Sequence, residues 1–515
     1  MTAFRKHLEF LHRTDDCRTL SRPTDCSPQV VAAEALRAGG HAIEIEPETG
    51  REGTSTVPTV PTAPTAPTAT TVTLASGVYG GIDQSRGQRT TDSRHRQRYP
   101  WTRLGIGLGI DQDPAYTDVL ESLLALGERR DERDVTYVER AADATAQDLR
   151  ELGLPTPPDE AWPRFTLGLL SIGTDRGSYW APIHGTVLDG DTIRARVPAA
   201  VAERDLLETG TSITIALGVP PEALAATHLL AITDRLETPI EDRGVGATVP
   251  VIPTAGGVVP SSAEVVVETT VADRQPATQS EKREFWERLG GGATLTLESD
   301  AIFTREEPVV PFTPLGVPLS DDLQLAALSL SATLFNRVNS YWGVAPVDWL
   351  LLPAEGRLGL CLVASEILYA GFEWQLANLL FSLSDCFDKV LVVDTEISPR
   401  NLGRALGDSW VKAHPSRDWL VSEPDAPSAR MPTYGRGSSG GAGENTHEDG
   451  GETGARLYVD ATWDPRWTDE YIAPRVSFDE SYPPELREAV RDSWTEFGFE
   501  PESMANVGDE SESAE

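Results

Sequence analysis

The sequence predicts an α/β protein, α+β overall, built as an N-terminal α/β region, a central antiparallel β-barrel and a C-terminal α/β domain. Two changes of texture carry that reading. From Arg164 onward, short alternating runs (Phe165 to Ile172, Tyr179 to Val187, Thr192 to Val197, Ser212 to Leu217, Ala263 to Thr270, Ala293 to Leu297) are separated by Gly, Pro and Asp. That is the pattern of strands with one buried face joined by tight turns. From Asp321 the segments lengthen. Val347 to Leu352, Leu358 to Val363 and Val390 to Val393 are largely apolar and alternate with helical stretches at Trp374 to Leu383 and Arg400 to Lys412. This predicts a parallel sheet buried on both faces. The expected domains are 1–157, 158–318 and 319–500, followed by a mobile acidic tail at 501–515.

Before the barrel, Phe4, Leu8 and Leu11 follow helical spacing, and Thr19 and Leu20 lead as a strand into a Pro-containing turn at Arg22 to Asp25. Gln29 to Arg37 reads as a second helix stopped by Gly39 and Gly40, and Ala42 to Ile45 as a strand. Residues 49–71 degenerate into Thr, Pro, Ala and Val, and 431–454 into Gly, Ser and Glu. Neither stretch has the apolar surface to offset ordering entropy, so both are expected to be disordered insertions.

At 515 residues the chain is long enough for roughly two to four domains. Its 44 basic and 80 acidic residues leave a formal charge of −36, a field that repels nucleic-acid phosphates and anionic membranes and removes both from the expected partners. Lys6, Lys282, Lys389 and Lys412 are the only lysines. An acid excess with arginine in place of lysine points to a salt-rich cytosol, where a Debye length of about 3 Å at 1 M hides surface carboxylates from one another. Cys17, Cys26, Cys361 and Cys386 show no CxxC spacing, which predicts reduced, buried thiols. No apolar run reaches the roughly 18 residues of a membrane span, so a soluble, cytoplasmic protein is expected. Arg86, Arg89, Arg94, Arg96, Arg98 and Arg103 form one basic island, which either binds phosphate or pairs with the chain's own carboxylates. Gly105, Gly107 and Gly109 do not complete a GxGxxG fingerprint, because Ile110 interrupts it.

Three stretches resemble the UbiD family of prenylated-FMN-dependent carboxy-lyases, with the composition of a divergent haloarchaeal-type member. They are the opening FRKHLEFLHRTDDCRTLSRPTD, the middle ITIALGVPPEALAATHLLA with VVPSSAEVVVETTV, and the C-terminal DKVLVVDTEISPRNLGRAL with LYVDATW. The likeness is collinear over nearly the whole chain apart from the two insertions. It implies a split β-barrel that holds the flavin at 158–318, a C-terminal α/β domain that mediates dimerisation, and a cofactor that takes up the electrons left by departing carbon dioxide while a glutamate in a Glu-Arg-Glu network supplies a proton. It also implies a divalent metal such as Mn at the flavin phosphate.

The chain departs from the family at the cofactor loop, Gly-x-x-Asn-x-Gly-x-x-Arg. The corresponding GSYWAPIHG starts at Gly177, with Trp180 at the metal-ligating Asn and Gly185 at the Arg. Trp cannot coordinate a metal and Gly carries no charge. Candidates to compensate are Arg176, His184 and Arg194 for the cofactor, with Arg194 or Arg196 as the alternative guanidinium, and Glu237 for the metal. Glu284, in a short helix from Ser280 to Leu289, is the candidate proton donor; Glu281, Glu284 and Glu287 read equally as a solvated helix face. His184 and His228 are either functional or packed, and Asp460 either belongs to a site or forms a turn.

Three readings remain open. The first is a UbiD-like decarboxylase of an unsaturated or aromatic carboxylic acid, working as a homodimer or higher homo-oligomer. The second is an inactive homologue serving as a structural or partner subunit, which would bind prenylated FMN weakly or not at all. A flavin-binding redox module is a third. Under all three, stability depends on salt: the melting temperature should rise from dilute to molar potassium chloride as screening removes self-repulsion, and a flat profile would refute the halophilic reading.

Overall fold

The computed structural model describes residues 3–21, 27–38, 40–47, 72–81, 99–110, 113–131, 135–139, 148–158, 160–204, 206–233, 236–276, 292–315, 317–356, 358–421, 456–462 and 483–498. The expected insertions, the acidic tail, the helix carrying Glu284 and Arg86 to Arg98 of the basic island lie outside the described residues. Two compact units emerge, one holding the described residues to Leu334 with those from Leu352 to Gly359, the other Phe335–Leu351 and the described residues from Leu360 on.

The first unit opens with α1 (Ala3–Arg13), β1 (Cys17–Ser21), α2 (Pro28–Ala38), β2 (Ala42–Glu46), β3 (Thr73–Ser76), α3 (Thr102–Gly107) and α4 (Tyr116–Gly127). The barrel then runs through β4 (Arg164–Thr174), β5 (Gly177–Val187), β6 (Thr192–Val197), the short α5 (Ala199–Ala202), β7 (Ser212–Leu217), α6 (Pro221–Thr233), α7 (Gly244–Thr248), the hairpin β8 (Val251–Thr254) and β9 (Gly257–Pro260), β10 (Val265–Pro276) and β11 (Ala293–Thr304). The six long strands are ordered β10-β11-β6-β5-β4-β7 and close on themselves, all neighbours antiparallel. Closure follows from the alternation that the sequence shows: in β6, Ile193, Ala195 and Val197 are buried while Thr192 and Arg194 are not. Strand β12 (Val309–Pro311) leaves the barrel and pairs in parallel with β3, giving the N-terminal sheet the order β1-β2-β3-β12.

Helix α8 (Asp321–Tyr341) follows, and the second unit adds β13 (Val347–Leu351), β14 (Leu360–Ser365), α9 (Phe372–Leu383), β15 (Lys389–Val393), α10 (Leu402–Val411), β16 (Trp419–Val421), β17 (Leu457–Ala461) and α11 (Pro484–Asp492). Its sheet, β13-β14-β15-β17-β16, is parallel at its centre, but β13 and β16 run antiparallel at the edges. The parallel sheet expected from the apolar runs is therefore mixed, because only the three central strands are joined by helical crossovers. Cys17, Cys361 and Cys386 are free and buried.

Two buried carboxylates organise the first unit. Glu264, which has no solvent exposure, accepts from Arg5 Nη2 at 2.6 Å and Nε at 3.0 Å. Asp321, at the start of α8, accepts four successive backbone N–H groups: Gly77 at 2.8 Å, Val78 at 3.2 Å, Tyr79 at 2.8 Å and Gly80 at 2.8 Å. Arg103 holds the same loop from its carbonyls, donating to Gly77 O at 2.7 Å and Gly80 O at 2.6 Å.

Replacing Arg5 by Met leaves Glu264 charged and buried, which should destabilise the fold by about 3–5 kcal/mol in denaturant titrations. A loss below about 1 kcal/mol, the range of exposed pairs, would count against this role. Burial lowers His7 and His228 to about 4 each. Unfolded histidine binds its proton near pH 6.5, so stability should fall between that pH and about 4 by roughly 1.4 kcal/mol per pH unit per group. The His7→Gln, His228→Leu variant should show a shallower acid slope, and an unchanged slope would exclude these histidines as the cause.

Candidate functional site

Strands β4, β5 and β6 lie side by side in the barrel wall, and their register pairs Arg164 with Thr186, Thr186 with Arg194, and His184 with Arg196. Side chains alternate along a strand, so these five share one face while Gly185, Ile193 and Ala195 take the other. That other face is closed: a Cβ on Gly185 would lie 2.6 Å from Cζ of Phe165 and 3.0 Å from Ile193. The polar face borders a cavity of about 400 Å³, whose remaining wall is Glu160, Ala161 and Trp162 from the segment before β4.

The cavity carries three arginines against one glutamate, a formal +2 with histidine neutral, in a chain of −36. Glu160 is held by Arg164 at 2.7 Å. Arg196 and His184 are buried at 8% and 5% exposure, whereas Arg194 is exposed. Facing residues on antiparallel neighbours have Cβ atoms about 5 Å apart, so His184 and Arg196 border the same cavity side by side.

Of the residues singled out in the sequence, the structure brings His184, Arg194 and Arg196 together. Arg176 sits exposed in the β4–β5 turn and Glu237 is exposed beyond α6; neither lines the cavity. Glu284 lies outside the described residues; the segment that carries it leaves β10 at Pro276 and re-enters at Ala293, and Ala293 and Thr294 pair with Val197 and Arg196. Trp180 is a packing residue, fully buried, with Nε1 donating to Val258 O at 2.8 Å. Sequence reasoning missed Glu241: its carboxylate accepts the Ser178 N–H at 2.9 Å, so this glutamate rather than Glu237 reaches the Gly177 to Gly185 stretch. Its place after a Pro-containing turn, in the run Thr238-Pro-Ile-Glu241 just after a helix, was the available signal. Arg103, by its bonds to Gly77 and Gly80, is structural. His228 is packed, its Nδ1 3.1 Å from Leu224 O. Asp460 forms a turn, accepting from Thr462 N at 2.9 Å and Oγ1 at 2.7 Å, and burial raises its carboxyl to about 6.

Residues 324–461 match the family model of the 3-octaprenyl-4-hydroxybenzoate carboxy-lyase C-terminal domain, UbiD_C. The chain is 22% identical over 362 residues to the pyrrole-2-carboxylic acid decarboxylase of Pseudomonas aeruginosa, covering 66% of this chain and 68% of that protein. Membership of the UbiD family is thereby supported. Among solved structures, the open form of Sedimentibacter hydroxybenzoicus vanillic acid decarboxylase superposes with a TM-score of 0.67 at 18% identity, over 96% of this chain and 98% of that one. The UbiD-class enzyme HmfF from Pelotomaculum thermopropionicum, in complex with FMN, gives 0.64 at 18% identity over 94% and 98%. The UbiD-class fold thus extends over nearly the whole chain, as the collinear resemblance implied.

The groups that a UbiD-class protein implies can be tested against these residues. An anionic flavin or acid fits a cavity lined by Arg194, Arg196 and His184. A divalent metal does not fit the Gly177 to Gly185 stretch as the family's loop would hold it, because Trp180, which has no ligating atom, stands at the ligand position and is turned into the core. Among the described residues one carboxylate group is close enough to hold a cation, Asp394, Glu396 and Asp408 in the second unit. Lys412 already sits among these carboxylates, at 2.5 Å from Asp394 and 2.6 Å from Asp408.

Proposed function

We propose that this chain is a UbiD-class decarboxylase of an aromatic or heteroaromatic carboxylic acid, with the cavity beside β5 and β6 as its site. The observation that carries this reading is the positive charge of that cavity in so acidic a chain, set in the wall of the barrel. The decarboxylases among its relatives support the reaction class, and the FMN complex of HmfF supports a flavin. No comparison lends support to the alternative of an inactive structural subunit.

The reaction replaces a carboxylate by a proton: the carbon–carbon bond to the carboxylate breaks, carbon dioxide leaves, and a proton is added to the same carbon. Prenylated flavin, when bound, supplies the electron sink. The chain's own residues fix the carboxylate with guanidinium groups, offer Trp162 to a planar ring and deliver the proton. Glu284 is the proton donor in this reading. No step runs through a metal. The chain acts as a homo-oligomer in a salt-rich cytosol, with 158–318 as the catalytic domain.

The test is purification after co-expression with a flavin prenyltransferase in molar potassium chloride, followed by flavin absorbance and carbon dioxide release from pyrrole-2-carboxylate, vanillate and hydroxybenzoates. Bound flavin and release from at least one acid are expected, with Glu284→Gln slower by about 10²–10⁴-fold. Flavin-free protein inert towards every acid would overturn the reading, and an unchanged rate in the Gln variant would return Glu284 to a solvated helix.

A further inference from the structure

We infer that the outward face of α10, made of Gly403, Leu406, Gly407, Trp410 and Val411, is a self-association surface on which two copies of this chain pack their α10 helices antiparallel about a two-fold axis. The inference specifies the homo-oligomer of the proposed function and draws nothing from its chemistry.

Helix α10 has its polarity inverted. These five residues recur at every third or fourth position, which places them on one face of the helix, and none of them is charged. Leu406, Trp410 and Val411 are 47%, 76% and 80% exposed, whereas the side chains of Arg404 and Asp408, on the flank, are only 34% and 18% exposed. Those two charges are paired within the chain, Arg404 at 3.4 Å from Glu396 and Asp408 at 2.6 Å from Lys412. A single exposed apolar residue is ordinary, but an uncharged helix face turned to water in a chain of −36 is a surface built to be covered.

The relief of the face indicates a second copy as the cover. Leu406 and Trp410 form a ridge, with Gly403 and Gly407 as a floor beside it. A Cβ on Gly407 would meet nothing within 4 Å, and one on Gly403 would meet only Oδ1 of Asn401, at 3.6 Å. With the two-fold axis between positions 406 and 407, Trp410 of one copy falls on Gly403 of the other and Leu406 falls on Gly407, each contact occurring twice. Every ridge residue then meets a floor residue, which is the reciprocity that a two-fold interface demands. The missing side chains let the helix axes come within the usual spacing of about 8–10 Å. An unrelated partner would have to bring its own matching relief; another copy carries it by symmetry.

Strand β16 widens the patch. Trp419 packs against Trp410 with ring centroids 5.7 Å apart, and Val421, two residues along the same strand face, is 66% exposed. Two such patches face to face remove on the order of 1,000 Å² from water, the lower end of what a specific interface needs. The net charge of the copies opposes their approach in dilute buffer, and a Debye length of about 3 Å in 1 M salt removes that opposition.

The experiment is sedimentation velocity of the full chain over a dilution series in 1 M potassium chloride. Wild-type protein should sediment as a dimer or a larger even-numbered assembly. Trp410→Glu should weaken self-association at least 10-fold. Gly407→Leu should do the same, although the added side chain meets open space in its own chain and so leaves the fold intact. Val30→Glu, at an exposed position of α2 in the first unit, should change nothing. Circular dichroism of each variant identifies any that fail to fold. Loss of association in Trp410→Glu with Gly407→Leu unaffected would overturn the antiparallel packing. An assembly unchanged in both variants would overturn this face and leave the homo-oligomer of the proposed function standing, whereas a monomeric wild type would overturn both. Variant-sensitive dimers that release no carbon dioxide would sustain this inference and sink the decarboxylase reading, so the two fail separately.

Discussion

A carboxylate with no access to water must find its partners inside the protein, and Glu264 obliges three separate stretches of chain to meet around it. Arg5 comes from α1 and binds both oxygens; the Val309 N–H, at the start of β12, lies 3.4 Å away. Gly218, at the end of β7, has φ +64 and leaves so little room that a Cβ there would sit 2.5 Å from Cγ of Glu264. Any other residue would be strained twice, by its backbone and by the carboxylate. Because β12 also completes the N-terminal sheet through β3, this pair fixes the sheet to the barrel. Asp321 makes the second tie by gathering the loop of residues 77–80, which Arg103 grips from the other side.

Charge acts at two ranges in this molecule. Over the whole surface, −36 works against a compact fold and repels an anionic substrate in dilute buffer. High salt cancels both effects, but it also abolishes long-range steering, since screening leaves only contacts of about 3 Å intact. Recognition in such a solvent has to be made by touching groups. A half-enclosed cavity with arginines on its wall meets that requirement, because a ligand seated in it excludes the ions that would screen it.

Much of the fold could be read from periodicity. The bounds of β6 and β7, Thr192–Val197 and Ser212–Leu217, coincide with the runs read from the sequence, although β7 is buried on both faces from Ile213 to Leu217. What escaped were relations between distant segments: β3 with β12, and the β8–β9 hairpin, whose Val258 carbonyl accepts from both Trp180 and Ser171. No local pattern records which strand a residue will face. For the same reason Trp180 looked like a lost ligand position although it is a brace for that hairpin. Glu241 went unremarked beside Glu237 because only the turn geometry after α6 decides which of them reaches β5.

The candidate site shows how much a single residue decides in a strand. Placing the family's arginine at Gly185 made the loss of that arginine the main argument for an inactive protein. Gly185, however, points at Phe165, and any side chain there would enter the apolar face and never reach the cavity. A shift of one residue reverses the face, so the cavity position on β5 is His184, with Arg196 directly across on β6. The positive charge missing from the linear motif is present on the neighbouring strand. The substitution at 185 therefore says nothing about whether the chain can hold a carboxylate, because the polar groups that border the cavity, His184 and Arg196, are twelve positions apart in sequence and adjacent only once the barrel has formed.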